Sequence, residues 1–386
     1  MARMRSGFLA LATVSILVTA LPASGQVVSN LGDSGPGTLR QAILDANLNP
    51  GADVITFQPS VTGTILLTTG EIAITDSVDI QGPGARSLAV DSTARIFNIS
   101  GTTSVTVVIS GLTLTGGQAA GNGGAIGNVG ANVTLRFVTV SGNNATAEGG
   151  AIFHNANSGW LTIESSTLSG NTANKAGAIY SIGWNLVIRN STISGNHATD
   201  SIGGIKLEFA YAQIYNSTIT GNTAAFQFGG TGGVGLNNTQ LDLVSTIVAG
   251  NTDVTGASDL KRLNGTVNAS YCLFGQALGV GDLNGTNIAN LVGVNPLLGA
   301  LSANGGPTDT HALTLGSPAI DTGDDPLGLG DDQRGPGFVR VNGVVADIGA
   351  FEYGSGVLVP VLSGLGVAAL ALLLLAFGAL ALVRRT

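Results

Sequence analysis

The chain has 386 residues, of which 59 are glycine, 11 are proline and only 10% are charged, with aliphatic and β-branched residues interleaved throughout. That mixture excludes a disordered linker and favours packed β-structure with many tight turns. The formal charge is −8, with three lysines and no basic cluster, which argues against a nucleic-acid partner, and the single cysteine, Cys272, excludes an intrachain disulfide.

Residues 1–25 carry a basic start (Arg3, Arg5), an uncharged apolar run from Gly7 to Leu21, and Ala23-Ser24-Gly25. They read as a signal peptide cleaved after Gly25, and the protein is expected to be exported. The apolar run is short for an uncleaved membrane anchor.

Residues 26–62 read as an N-terminal cap. Thr38-Leu-Arg-Gln41 has the capping-box form, and Leu39, Ala42, Ile43 and Ala46 share one stripe of a short helix. Such a helix covers the open apolar end of a stack that would otherwise meet water or pair with another chain. Arg40 is expected on the solvated face of that helix. The text from Ser34 to Asn47, with Gly51 to Phe57, resembles the CSLREA-type cap found ahead of bacterial β-helices, with Gly37 and Thr38 standing near the place of its cysteine.

Residues 63–275 carry apolar pairs at spacing two, such as Ile65/Leu67, Val78/Ile80 and Leu161/Ile163, the mark of short strands buried on one face. Within them a Ser/Thr-Gly-Asn phrase recurs. Its glycines fall at 116, 142, 170, 195, 221 and 250, so the steps are 26, 28, 25, 26 and 29 residues. A period of that length with three short strands per unit predicts an all-β, right-handed parallel β-helix solenoid, three strands per coil. Gly supplies the positive φ of a corner. Asn143, Asn171, Asn196, Asn222 and Asn251 occupy one register and are expected to form an internal ladder. The sequons at Asn190 and Asn216 are read through the same turn chemistry rather than as glycosylation sites.

Residues 276–353 carry different text, from Asn295-Pro-Leu-Leu-Gly-Ala-Leu through Gly316-Ser-Pro-Ala-Ile-Asp321 to Asp347-Ile-Gly-Ala-Phe-Glu352. These strings resemble the choice-of-anchor Q domain, and the resemblance implies a segment that closes a surface β-helix ahead of a sorting tail.

Residues 354–386 end in 19 uncharged residues from Leu365 to Val383 followed by Arg384-Arg385. This is roughly the 20 residues a membrane-spanning helix needs, with the arginines kept inside. Val359-Pro360-Val361-Leu362-Ser363 ahead of it approximates the signature of the IPTL-CTERM and PEP-CTERM sorting tails, with Val361 where threonine is usual. The resemblance implies sorting machinery as a partner, with Val359, Pro360, Leu362, Ser363, Arg384 and Arg385 as the signal, and a place in a Gram-negative cell envelope or release after processing.

Chemistry is sparse. Asp321, Asp324, Asp325, Asp331 and Asp332 sit in a Gly-rich stretch that suits a structural Ca²⁺, or else a carboxylate turn pinned by Arg334 and backbone amides. No other cofactor is implied, and no catalytic residue stands out. Glu164 and Arg189, one repeat apart, are set to stack as an ion pair. His154, His197 and His311 are scattered singly and read as surface or turn residues. Trp160, Trp184, Phe209, Tyr211 and Phe226 form either an aromatic strip for sugar stacking or ordinary packing. The best reading is a non-catalytic, envelope-anchored surface or adhesion module with a polysaccharide or neighbouring surface as ligand. The alternative is a carbohydrate-active lyase or hydrolase using the side of the rod. An autotransporter barrel is disfavoured by the lack of long alternating strands after residue 275.

Overall fold

Alternate apolar residues point inward, and each coil repeats the pattern of the one before. Ile152, Leu161, Ile163 and Leu168 lie in register with Ile179, Leu186, Ile188 and Ile193 of the next coil, all fully buried. Removing each such side chain from water contributes about 1.5–3 kcal/mol. A computed structural model describes residues 25–356 apart from 157, 158, 184, 226–229 and 280. It is a parallel β-solenoid of about nine turns, with about 3% helix. The expected signal segment lies outside the described residues but for Gly25. The sorting residues, the apolar tail, Trp184 and Phe226 also lie outside them. Among the described residues no helix is long and apolar enough to cross a membrane.

The three-strand coil holds for the first coils, where Asp53–Phe57, Gly63–Leu67 and Ile72–Ile74 fall on three sheets. We call these sheets A, B and C; they contain eleven, ten and eight strands. From Gln118 on, a correction is needed: a fourth, seven-stranded sheet D intervenes between B and C. Its reason is visible in the text Asn143-Asn-Ala, Asn171-Thr-Ala, Asn196-His-Ala and Asn222-Thr-Ala. After the Gly-Asn corner, one small inward residue (Ala119, Ala145, Ala173, Ala198 or Ala224) fits the narrow side of the coil. Where D turns into C, the coils touch through glycine backbones. A Cβ at Gly150 would lie 2.2 Å from the carbonyl oxygen of Gly177.

Two corners are stitched by side-chain ladders. At the B–D corner, Gly195 adopts φ 64° and the asparagine that follows turns inward. Asn143 Nδ2 donates to Asn171 Oδ1 at 2.9 Å, and Asn171 to Asn196, Asn196 to Asn222 and Asn222 to Asn251 each at 2.8 Å. At the A–B corner, Phe137, Ser165, Asn190, Asn216, Ser245 and Tyr271 all carry positive φ, and a buried hydroxyl follows several of them. There the Ser191 and Ser217 hydroxyls accept the backbone N–H of Ser166 and Ser191, each at 3.2 Å. This second ladder accounts for the Asn-Ser-Thr strings.

The N-terminal segment supplies a coil as well as a cap, because Gly25–Val28 and Asp53–Phe57 are the first strands of sheet A. Helix α1 (Leu39–Leu48) buries Leu39, Ala42, Ile43 and Ala46 against the first coil. Thr38 accepts Gln41 N–H at 3.2 Å, while the Gln41 side chain donates to Asp45 instead of reaching back to the cap. Arg40 is not solvated, contrary to expectation. It forks onto Asp33 at 2.7 Å and donates to the carbonyls of Gly70 and Glu71, pinning the cap to the second turn. Burial would raise the Asp33 carboxyl, but Arg40 and the amides of Thr68 and Thr69 hold it well below the usual range.

Coiling ends with Asn287–Ile288 and Leu291–Val292, and Leu278 and Leu283 pack against the last coil of the core. Residues 295–356 then form a lap. They pair Leu298–Ser302 with Thr310–Leu313 and run back along the flank of the rod, over the outer face of sheet B. Gln333 sits at the centre of the contact. Its Nε2 donates to Thr167 Oγ1 at 2.9 Å, and its Oε1 accepts from Thr192 at 2.5 Å. Ala350 N–H reaches Thr218 at 3.1 Å, while Ile247, Ala249 and Leu273 pack against Leu313, Ala319, Ile348 and Phe351. Asn190 and Asn216 donate to the carbonyls of Asp331 and Asp324 at 2.7 and 2.9 Å. The sequon asparagines therefore clasp the lap.

Candidate functional site

With the later strands of sheet B covered, the long described outer faces that remain are those of sheets A, C and D, while the first strand of B leaves Leu66 exposed. On sheet A the register stacks Thr162, Val187, Gln213, Asp242 and Asn268 in one axial row and Glu164, Arg189, Tyr215 and Val244 in the next. Trp160, Asn185 and Tyr211 each stand one residue ahead of aligned Leu161, Leu186 and Ala212, so they form a third row at the edge. Trp160 is 42% exposed and Phe209, held out at φ 52°, is 57% exposed. The structure thus brings Trp160, Phe209 and Tyr211 of the aromatic strip onto one edge.

The polar groups beneath them are fixed by one another. Tyr211 donates to Asp242 at 2.9 Å, and Asn268 donates to its other oxygen at 2.7 Å. Gln213 donates to the hydroxyls of Tyr211 and Tyr215 at 2.9 and 2.8 Å. The bond to Asp242, with burial added, pushes the Tyr211 hydroxyl up to about 12, so it stays a proton donor. Glu164 lies between Arg136 at 3.1 Å and Arg189 at 3.2 Å, so the expected pair is part of a three-coil ladder. The outward charges of these coils are two arginines against Glu164 and Asp242, a balanced face.

Sheet C presents a smaller cluster. The Phe153 and Tyr180 rings stack at 5.8 Å and Lys206 lies 5.2 Å from the Tyr180 ring centre. Tyr180 donates to Glu208 at 2.5 Å and Lys206 pairs with Glu208 at 3.1 Å, so the cluster is closed upon itself. Burial and Glu208 push the Tyr180 hydroxyl far up.

No protein-family model matches the chain, and no curated protein matches it.

The Ca²⁺ candidates do not converge. Asp332 is buried and gives both oxygens to Arg334 and to the N–H groups of Arg334 and Glu352. Asp321 accepts Val344 N–H at 2.8 Å, and Asp324 accepts Asp325 N–H at 2.9 Å. Among the described residues no group of three or more His, Cys, Asp or Glu is placed to hold a metal. Arg334, itself sandwiched 4.2 and 3.8 Å from the Phe338 and Phe351 rings, pairs among these carboxylates with Asp332 alone, and one Asp325 oxygen is buried without a hydrogen-bond partner among the described residues.

Two of the three histidines also differ from expectation. His154 is fully buried, facing the interior, and Asn128 Nδ2 donates to its Nδ1 at 2.9 Å, which places the proton on Nε2. Burial pushes it down to about 4. The stacked row Asn128, His154 and Ser181 is a polar seam in an otherwise apolar core. His311 is clamped in the lap contact, donating to Gly299 O at 2.7 Å and accepting from Ser194 at 2.8 Å, and burial lowers it. His197 stacks on Thr223 at 2.8 Å in sheet D. Cys272 is buried and its thiol pushed up to about 12 by burial, which leaves it a poor nucleophile.

Proposed function

We propose that this protein is an exported, envelope-anchored surface module that binds polysaccharide on the outer face of sheet A. The observation that carries the reading is the exposed edge of Trp160, Phe209 and Tyr211 above amides and carboxylates already fixed in place. Rigid aromatic faces with oriented polar groups beside them suit the mixed apolar and hydroxyl surface of sugars. The cap, the right-handed coil, the choice-of-anchor-like lap and the sorting-type tail fit a rod that is displayed and held by the envelope, with the membrane and the sorting machinery as its partners before processing. Binding of the purified protein to a panel of soluble and insoluble glycans tests the proposal. Retention on none of them would sink it.

The second reading, a carbohydrate-active enzyme, rests on one recess between rod and lap, where Glu164 and Asp331 share a lining with Asn190 and Gly335. Release of reducing ends or unsaturated sugars, abolished by Glu164→Gln, would favour it over the binding module.

A further inference from the structure

We infer that the ligand of sheet A is an extended, uncharged β-1,4-linked glycan lying parallel to the rod axis. The inference rests on the glycan-binding reading above and narrows it to a class. Three observations carry it.

The first is direction. The aromatic edge and the amide row both run along the axis, so a linear polymer meets stacking and hydrogen-bonding stations together only when it lies lengthwise. The second is pitch. Each coil rises roughly 4.8 Å, close to the length that one pyranose ring adds to an extended β-1,4 chain. Successive rings of such a chain are turned by half a revolution, so the same ring face recurs at every second sugar. Trp160 and Tyr211 stand two coils apart, with Asn185 between them and Gln240 and Thr266 following. From Trp160 to the row of Asn268 the face spans five coils, room for about five rings at that rise.

The third is charge. Arg136 and Arg189 are paired with Glu164, and the Asp242 carboxylate is taken by Tyr211, Gln240 and Asn268. A uronate polymer would find no unpaired cation among the described outward residues of this face. A neutral chain meets hydroxyl-matching groups instead: the Tyr215 hydroxyl and the Gln213 and Gln240 amides.

The test uses the full-length chain purified in mild detergent. Its probes are β-1,4-linked glucan oligosaccharides of two to six rings, amorphous insoluble β-1,4-glucan, a coiled α-1,4-glucan and polygalacturonate. Affinity is expected to climb with ring number and level off near five, to be indifferent to salt, and to fall at least tenfold in Trp160→Ala and in Tyr211→Ala. Gln118→Ala, an exposed change on sheet D away from this face, should change it less than threefold, and unchanged melting of each variant shows the fold is intact. Equal binding of the coiled α-glucan would overturn the extended geometry. Preferential, salt-sensitive binding of polygalacturonate would overturn the neutral class while leaving a glycan-binding module standing. Failure to bind any glycan overturns both.

Discussion

Asn251 gives both its backbone N–H and its side-chain amide to one oxygen of Asp259, each at 3.0 Å. Every amide of the inner ladder donates toward the later coils, so the last rung must end on a pure acceptor. Asp259 is that acceptor, and its second oxygen takes the N–H of Gln276 at 3.0 Å. Burial raises the Asp259 carboxyl while these donors oppose it. Asp259→Ala leaves two buried donors of Asn251 unpaired and should cost about 2–4 kcal/mol. Asp259→Asn keeps one acceptor but turns an N–H₂ on Gln276 or Asn251, and should cost about 1–2 kcal/mol. Urea unfolding of the three proteins measures both; an Asn variant as damaging as the Ala variant would refute the end-acceptor argument.

Gln333 joins the lap to the rod, bonded to Thr167, Thr192, Thr308 and the carbonyl of Asp309. Gln333→Ala strands those buried hydroxyls and should cost about 2–3 kcal/mol, felt in the lap and not in the coils. Hydrogen exchange is expected to speed up across 295–356 while strands such as Leu186–Arg189 keep their protection. Uniform loss along the rod would show that the lap and coils unfold as one unit.

The coils were legible because repetition exposes them. Ile152, Leu161 and Ile163 recur as Ile179, Leu186 and Ile188, and one inward face repeated nine times outweighs any local ambiguity. The Asn-x-Ala strings of sheet D were readable by the same logic but are masked by their brevity. The path of the lap was not legible. Its partners, Thr167, Thr192 and Thr218, look like ordinary solvent-facing strand residues, and only the return of a non-repeating segment buries them. Arg40 likewise reads as a helix surface residue until the second turn brings Gly70 and Glu71 to it. Of the candidate site, the aromatic residues were visible but not their common edge, because Trp160 and Tyr211 meet only through the register of two coils.

Ile179 is fully buried, in register with Ile152 and Ile205 in sheet C. Ile179→Asp places a charge where no partner can reach it, and the cost of burying it unpaired exceeds the ordinary range of point mutations, more than about 4 kcal/mol. The variant should fail to fold or melt far below the parent. Ile179→Val, which keeps the packing, should cost only about 1 kcal/mol. A parent-like melting curve for the Asp variant would refute the inward assignment.

Acidity should act with opposite signs through two buried groups, His154 in the coils and Glu352 in the lap. His154 is held neutral, pushed from its ordinary 6.5 down to about 4 by burial in the core. The unfolded chain takes up a proton below about 6.5 that the folded rod refuses, so this stability is complete above that pH and drains away as pH falls toward 4. Glu352 behaves in reverse. Burial pushes its carboxyl from 4.5 up to about 7, although Arg340 and the amides of Asp347 and Asn342 oppose the shift. The folded lap therefore holds a proton that the unfolded chain has lost, and its stability is greatest below about 4.5 and declines as pH rises through 7. Between pH 4.5 and 6.5, hydrogen exchange should show the coil around Ile152–Ala156 gaining protection with rising pH while residues near Ala350 lose it. His154→Gln should flatten the first slope and Glu352→Gln the second, each without touching the other. Local slopes left unchanged in both variants would refute the assignment of these two groups.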